Sequence, residues 1–468
     1  MDFTQVPEGT PVLVGTKTVP MPSLAPGDTL LPVAATGELL LIPQAARQAA
    51  VEAVDDALDA FAVVSRADPA QISTFFQVFA DRLADDNVWA EISEANAADV
   101  TRARAAGRLV GRLRVSDKMR TDMIEGLAAW AVSPSRVGEV IARREVKDFV
   151  IERRRAPLGP VAFIFEGRPN VFADGAGVLR NGNTAVMRIG SDAYGTARAV
   201  VEGALGPALD EAALPRGAVR LVESRERAAA QALFTLPKVR LAVARGSGAT
   251  VSLLGSIAES HGIPVSLHGT GGGWVYVDRS AREETVANVI RSSLDRKVCN
   301  TLNVLVIDEE AVERLGPVAV RVLSDLGAKV HVTHGGQRML PDGLALEEED
   351  LSLEWEWDDI PECTLIVAKG FDDAVSLINR YSPRLVASVL TTNDAVFEDF
   401  YDKVEVPYVG NGFTRWVDGQ WAWDLPELGL TNWERGRLLG RSGFLTGDDI
   451  FSVRDVFLDT SGAGVQYR

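Results

Sequence analysis

The sequence predicts an α/β protein carrying two parallel-sheet domains in tandem. Three observations point there. Short β-rich runs alternate with helix-length segments from about residue 160 onward, which is the pattern of strands joined by crossover helices. The chain of 468 residues is about three times a typical single domain. Hydrophobic residues make up 46% and charged residues 24%, a balance that supports packed cores rather than disorder.

The elements follow in order. Residues 1–44 hold the apolar runs Pro11 to Val14, Leu30 to Ala34 and Leu39 to Ile42, broken by Pro and Gly, and read as a β-rich leader. From 45 to about 135 the pattern turns helical, with Val51, Val54, Leu58 and Phe61 spaced to form one apolar stripe. Val161 to Phe165, Thr184 to Arg188, Val219 to Val222 and Val239 to Val243 supply the strands of a first parallel sheet. Val304 to Ile307, Lys329 to Val332 and Thr364 to Val367 supply a second, placed after about residue 280. Val453 to Asp459 closes the chain as an extended segment. Tryptophans crowd the region after 350, at Trp355, Trp357, Trp416, Trp421, Trp423 and Trp433, and suggest an aromatic surface or pocket.

Composition narrows the function. A net charge of −17 repels a phosphate backbone, and no basic run offsets it, so nucleic acid is a poor partner. The start Met1-Asp2-Phe3-Thr4 lacks the features of a signal peptide, and no apolar stretch is long enough for a membrane helix. A cytoplasmic location with no membrane association is the expectation. With two cysteines, Cys299 and Cys363, no disulfide framework organises the fold.

Cys299 sits in Asp295-Arg296-Lys297-Val298-Cys299-Asn300, where two preceding cations, and a helix N-terminus if one is present, favour the thiolate; a buried core cysteine is the alternative. Cys363 opens an apolar strand without cationic neighbours and reads as core. His331 and His334 have H-x-x-H spacing, but no adjoining Cys or carboxylate ligands are evident, and no metal is expected. The glycine-rich pieces Arg245-Gly246-Ser247-Gly248 and His268-Gly269-Thr270-Gly271-Gly272-Gly273 allow backbone to approach a ligand closely, or simply make turns. The first lies between a strand and a helical segment without the full G-x-G-x-x-G fingerprint.

Taken together, roughly residues 45 to 455 resemble the gamma-glutamyl phosphate reductase family, the proline-pathway branch of the aldehyde dehydrogenase superfamily. The resemblance rests on Arg155-Ala156-Pro157-Leu158-Gly159-Pro160, Phe165-Glu166-Gly167-Arg168-Pro169-Asn170, Arg188-Ile189-Gly190-Ser191, Arg245-Gly246-Ser247-Gly248 and Val298-Cys299-Asn300. Asn379-Arg380-Tyr381 and Thr414-Arg415 with Asp418-Gly419 extend it. It implies an aldehyde dehydrogenase-like fold: a Rossmann-like cofactor domain over 45–138 and 156–283, a catalytic domain over 284–418, and a return to the cofactor domain over 419–447. A β-hairpin oligomerisation arm over 139–155 and 448–468 would join subunits into a homodimer or homotetramer.

The same resemblance assigns roles. Cys299 would attack an acyl phosphate to form a thioester, with Asn170 and the Cys299 backbone N–H holding the oxyanion. Glu166, Arg188, Gly190, Ser191, Arg245, Gly246, Ser247, His268 and Gly269 would line the cofactor, NADP(H) by preference and NAD(H) as the alternative. Arg168, Asn300, Asn411, Thr414 and Arg415 would meet the substrate, with Arg168 and Arg415 facing its anionic groups or pairing with carboxylates instead. The implied reaction is reduction of gamma-glutamyl phosphate to the semialdehyde, next to the kinase that makes this labile substrate.

Three departures bear on that reading. Hydrolytic aldehyde dehydrogenases carry a water-activating glutamate in E-L-G-G, whereas this chain has Ser266-Leu267-His268-Gly269; the family usually has Glu-His-Gly there, so Leu267 is a departure from it. Trp423 and Leu425 replace two glycines of the family pattern and would reshape a loop or pocket. The leader of about 44 residues precedes the usual family start. These differences favour, as the second reading, the same mechanism on another acyl phosphate or thioester. A catalytically silent scaffold for a partner kinase is the third, and the retained Cys299 and Asn170 argue against it.

Overall fold

The computed structural model describes residues 6–108, 110–111, 113–146, 149–165, 167–418, 427–433, 443–460 and 462. Contacts divide the chain into two units, one made of residues 1–267, 423–429 and 444–468, the other of 268–422 and 430–443. No helix among the described residues is long and apolar enough to cross a membrane.

The first unit opens with two antiparallel hairpins, β1 (Pro11–Val14) with β2 (Lys17–Pro20) and β3 (Thr29–Val33) with β4 (Glu38–Ile42). The leader therefore forms strands as expected. Leu31, Val33 and Ile42 are buried in one apolar cluster with Leu233, Val251 and Leu254 of later helices, so the second hairpin is part of this unit's core.

Four helices follow: α1 (Gln44–Val64), α2 (Pro69–Ala84), α3 (Asp86–Ala105) and α4 (Asp117–Val132). Their starts are set locally. Asp68 and Gln71 form a reciprocal cap ahead of Pro69, and Asp85 and Ser116 accept first-turn amides of α3 and α4. The stripe expected on α1 is corrected. The buried face is Ala46, Ala50, Ala53, Val54, Ala57, Ala60 and Val64, while Val51, Leu58 and Phe61 are only half-buried. Small residues let α1 sit close to its neighbours; a Cβ on Gly217 would lie 2.3 Å from the Asp56 carbonyl oxygen.

After the hairpin β5 (Val140–Val146) and β6 (Phe149–Ala156) comes the expected alternation: β7 (Pro160–Phe165), α5 (Val171–Gly175), β8 (Thr184–Ile189), α6 (Tyr194–Val200), α7 (Gly206–Glu211), β9 (Val219–Leu221), α8 (Arg227–Leu233), β10 (Leu241–Arg245), α9 (Gly248–Ser260) and β11 (Val265–His268). The sheet order is β11-β10-β7-β8-β9, parallel from β10 through β9. Every residue of β7 and β8 is buried, as in a sheet covered on both faces. Strand order reverses at β7, creating a crevice beyond the strand C-termini between β7 and β10.

The second unit is a seven-stranded sheet in the order β15-β14-β16-β13-β12-β17-β18. Its strands are β12 (Gly273–Val277), β13 (Leu302–Asp308), β14 (Lys329–Val332), β15 (Leu344–Ala345), β16 (Glu362–Ala368), β17 (Val386–Leu390) and β18 (Tyr408–Gly410), and the neighbouring pairs run parallel. The helices α10 (Glu283–Ser293), α11 (Val312–Asp325), α12 (Phe371–Tyr381) and α13 (Asp394–Lys403) accompany it. Alternate residues serve opposite faces: Val275, Leu305 and Leu365 join one cluster, and Trp274, Val304 and Ile366 the other.

The division falls between Leu267 and His268, earlier than the expected 283/284, because β12 is hydrogen-bonded between β13 and β17. Beyond Asp418, β19 (Glu427–Leu430) pairs with β20 (Phe444–Thr446), and β21 (Ser452–Asp459) runs antiparallel to β6. Contacts assign 423–429 and 444–468 to the first unit but 430–443 to the second, where the sequence reading expected a single return over 419–447. Trp421, Trp423 and Leu425 lie outside the described residues, as does Glu166.

Candidate active site

Cys299 lies in a turn between α10 and β13 and is half-exposed. No helix begins there, so the helix N-terminus considered for its activation is absent at this position. The turn is built by Thr301. Its hydroxyl accepts the Val298 N–H (2.9 Å) and donates to the Arg296 carbonyl (2.8 Å), while its own N–H donates to the Val298 carbonyl (3.2 Å). Gly272 N–H donates to the Cys299 carbonyl and Gly273 N–H to that of Thr301, both at 2.7 Å. The approach depends on glycine: a Cβ on Gly271 would lie 2.8 Å from Cys299 Cα and 2.4 Å from its carbonyl oxygen.

Of the two cations read as thiolate-favouring, Lys297 is held by a carboxylate. Lys297 is buried and its ammonium donates to Glu354 Oε1 at 2.5 Å, with Glu356 at 3.8 Å. Its charge is therefore matched. Glu354 Oε2 also accepts the Gly271 N–H at 2.5 Å. The segment carrying Glu354 is pinned by Asn303, whose amide donates to the Leu353 carbonyl (2.7 Å) and accepts the Trp355 N–H (3.0 Å).

The glycine segment has a second anchor, Asn432. Its Oδ1 accepts from His268 Nδ1 (3.0 Å) and Gly269 N–H (3.3 Å), and its Nδ2 donates to the carbonyls of Thr270 (2.9 Å) and Pro383 (2.7 Å). His268 and Gly269 are thus brought to the same segment as Cys299. Asn300 is fully buried, and neither amide atom has a hydrogen-bond partner among the described residues. Thr414 is fully buried with its N–H on Ser293 Oγ (3.0 Å). Arg415 is buried and ion-paired with Asp295, which is the carboxylate alternative considered for it. Asn411 is exposed in the turn after β18.

In the first unit, the other residues gather beyond the C-terminal ends of β7, β8 and β10. Asn170 begins α5 and donates weakly from Nδ2 to Asp174 Oδ2 (3.4 Å), leaving Oδ1 buried without a partner. Burial pushes the Asp174 carboxyl up to about 6, opposed by the charges of Arg245 and Arg168. Arg245 lies over the Phe165 ring at 5.8 Å. Arg188 is buried at the end of β8, donates to the carbonyls of Arg225 (3.3 Å) and Glu226 (3.1 Å), and keeps Nε unpartnered. Burial, then the nearby Arg227 charge, holds its guanidinium below the usual arginine range. Gly190 donates its N–H to the Phe165 carbonyl (3.1 Å) just before Ser191 starts a short 3-10 turn. Gly246 and Ser247 lead from β10 into α9, and the Ser247 hydroxyl donates to Thr250 Oγ1 (3.0 Å).

Leu267 is buried in this unit's apolar cluster and presses on α9, where a Cβ on Gly255 would lie 2.4 Å from its Cδ1. Cys363 is fully buried on β16, and burial pushes its thiol up to about 12. His331 stacks on Trp355 with centroids 3.8 Å apart and meets Glu362 at 2.6 Å, while His334 faces Glu348. Sequence reading missed Asp174, Asn303, Glu354 and Asn432. Only Asp174 carried a signal, being one helical turn after Asn170.

A model of the aldehyde dehydrogenase family matches residues 28–332. Among solved structures, a gamma-glutamyl phosphate reductase from Thermotoga maritima is 28% identical with a TM-score of 0.80, and the match covers 87% of this chain and 98% of that one. An acetylating aldehyde dehydrogenase from Geobacillus thermoglucosidasius is 17% identical with a TM-score of 0.62, covering 90% of this chain and 98% of that one. A propionaldehyde dehydrogenase from Rhodopseudomonas palustris, solved with propionyl-CoA, is 15% identical with a TM-score of 0.61, covering 87% and 93%. The last two speak for the fold alone.

Proposed function

Because the chain belongs to the aldehyde dehydrogenase family and is an aldehyde-acting oxidoreductase, we propose that it reduces an acyl phosphate to an aldehyde through a thioester on Cys299, with gamma-glutamyl phosphate as the substrate. The observation that carries this reading is the side chain at 266. Where hydrolytic relatives carry a water-activating glutamate, this chain has the buried Ser266, and the Leu267 that follows it sits in the core against α9. No carboxylate is poised there, so a thioester outlives water and is open to reduction or exchange with phosphate.

The Cys299 thiolate attacks the acyl carbon, the C–S bond forms, and phosphate departs with the electrons of the C–O bond. The Cys299 backbone N–H and the Asn170 amide donate to the oxyanion; donors of this kind contribute about 3–4 kcal/mol each. Arg168 and Asn300 meet the anionic and polar parts of the substrate, the latter supported by its buried, unpartnered amide. Arg415, already paired with Asp295, orients Thr414 and its neighbours rather than supplying free charge.

The first unit suits a nicotinamide dinucleotide, NADPH by preference. In support, Arg188 keeps a buried, unpartnered Nε at the end of β8, and the N-terminus of α9 follows β10 at the reversal of strand order, where phosphates bind favourably. When bound, the cofactor supplies hydride to the thioester carbon. Cys299 then leaves as thiolate while the aldehyde is released.

The test is the reverse reaction: NADP reduction followed by absorbance with glutamate semialdehyde, with phosphate, with coenzyme A, or with neither. Phosphate-dependent turnover that vanishes in Cys299→Ala is the expected result. Turnover with coenzyme A alone would instead support the second reading, in which the leader and Leu267 belong to a reductase of another acyl group. A kinase that delivers the labile acyl phosphate directly is the partner this chemistry favours.

A further inference from the structure

Within the second unit, a buried ion pair lies beside the nucleophile without belonging to the steps above. Lys297 is two residues before Cys299, and its ammonium also reaches the Val298 carbonyl at 3.4 Å. Glu354 takes that ammonium on one oxygen and the Gly271 N–H on the other, each at 2.5 Å. A Cβ on Gly271 would stand 2.6 Å from Glu354 Oε1 and 2.8 Å from Cys299 Cα, so carboxylate and cysteine backbone both crowd the same glycine. Lys297 and Glu354 side chains are 6% and 17% exposed, which leaves little solvent to screen their charges.

We propose that Glu354 is a positioning residue that clamps the Cys299 turn to the glycine segment and, by compensating Lys297, sets how readily Cys299 ionises. This rests on Cys299 as nucleophile. Other charges around the turn are Arg296, the Asp295–Arg415 pair, and Glu356 at 3.8 Å from Lys297. Glu356 is mostly exposed and too distant to replace Glu354. The clamp fixes the backbone of the Cys299 turn.

The experiment measures the pH dependence of iodoacetamide labelling at Cys299 by peptide mapping, in the full-length wild type, Glu354→Gln, Lys297→Met and the double variant. Glu354→Gln leaves Lys297 unmatched and lowers the labelling midpoint by about one pH unit; Lys297→Met leaves the carboxylate unmatched and raises it by a similar amount. The double variant returns to within about 0.3 of wild type. A purely structural role would change labelling rates at every pH and leave the midpoint in place, and unshifted midpoints in both single variants overturn the proposal. If Glu354→Gln does not fold, Lys297→Met decides alone by the same criterion. Turnover surviving in Cys299→Ala would sink the nucleophile reading instead, and the labelling midpoints would still judge the ion pair.

Discussion

Cys299 and Cys363 have opposite surroundings, one half-exposed in a turn and the other fully buried on β16. Cys299→Ala is expected to abolish turnover while nucleotide binding, measured by calorimetry, persists. Cys363→Ala should leave kcat within about twofold and lower stability by about 1–2 kcal/mol in denaturant unfolding, the cost of a small cavity; loss of turnover in a folded Cys363→Ala protein would contradict the assignment. Asp174 supplies a pH prediction. Its carboxyl is raised from 3.8 to about 6, so the fold favours the protonated form. Between pH 4 and 6 the unfolded chain ionises first, and wild type should lose stability relative to Asp174→Asn by at most about 3 kcal/mol as pH rises, with no further change above 6. Unfolding curves across that range check the sign. At this scale Cys299, Asn170 and the arginines could be proposed from the sequence because each lies in a short motif. The compensation of Lys297 was not, since Glu354 stands 57 residues away and comes near only through the fold.

Among elements, the glycine segment 269–273 is sensitive to a single change. Gly271→Ala would drive a methyl to 2.4 Å from the Cys299 carbonyl oxygen, so we expect turnover to fall by at least about a hundredfold with the far-ultraviolet circular dichroism unchanged. Wild-type activity in this variant would show that the segment does not hold the nucleophile. Helix α1 shows what hydrophobic periodicity overlooks. Large apolar residues drew the expected stripe, yet alanines make the buried face, because close packing rewards small side chains that a count of bulky ones passes over. The strands β7, β8, β13 and β16 were legible as short β-rich runs between helix-length segments. β12 was missed as the start of the second unit because its residues, Gly273–Val277, follow the glycines without a separate turn signal.

For the whole molecule, both parallel sheets and the leader hairpins follow from alternation and turn residues. The division at Leu267/His268 depends on which strands pair across long stretches of sequence, and that is invisible to local pattern. The three-stranded sheet β21-β6-β5 carries exposed Ile151 and its register partner Phe457, with the Phe149 ring tilted against that of Phe457, centroids 5.1 Å apart. This supports the proposed role of the arm in joining copies into a dimer or tetramer. Ile151→Lys with Phe457→Lys should reduce the mass seen by light scattering after size exclusion, and an unchanged mass would place the contact elsewhere.

The central claim is a phosphate-labile thioester on Cys299. Its most direct measurement is peptide mass mapping after the protein is incubated with glutamate semialdehyde and NADP, in the absence of phosphate, and quenched in acid. The account expects the acyl mass on the peptide containing Cys299, removed by hydroxylamine and discharged by added phosphate. A protein that turns over with phosphate but never carries acyl mass at Cys299 would contradict it.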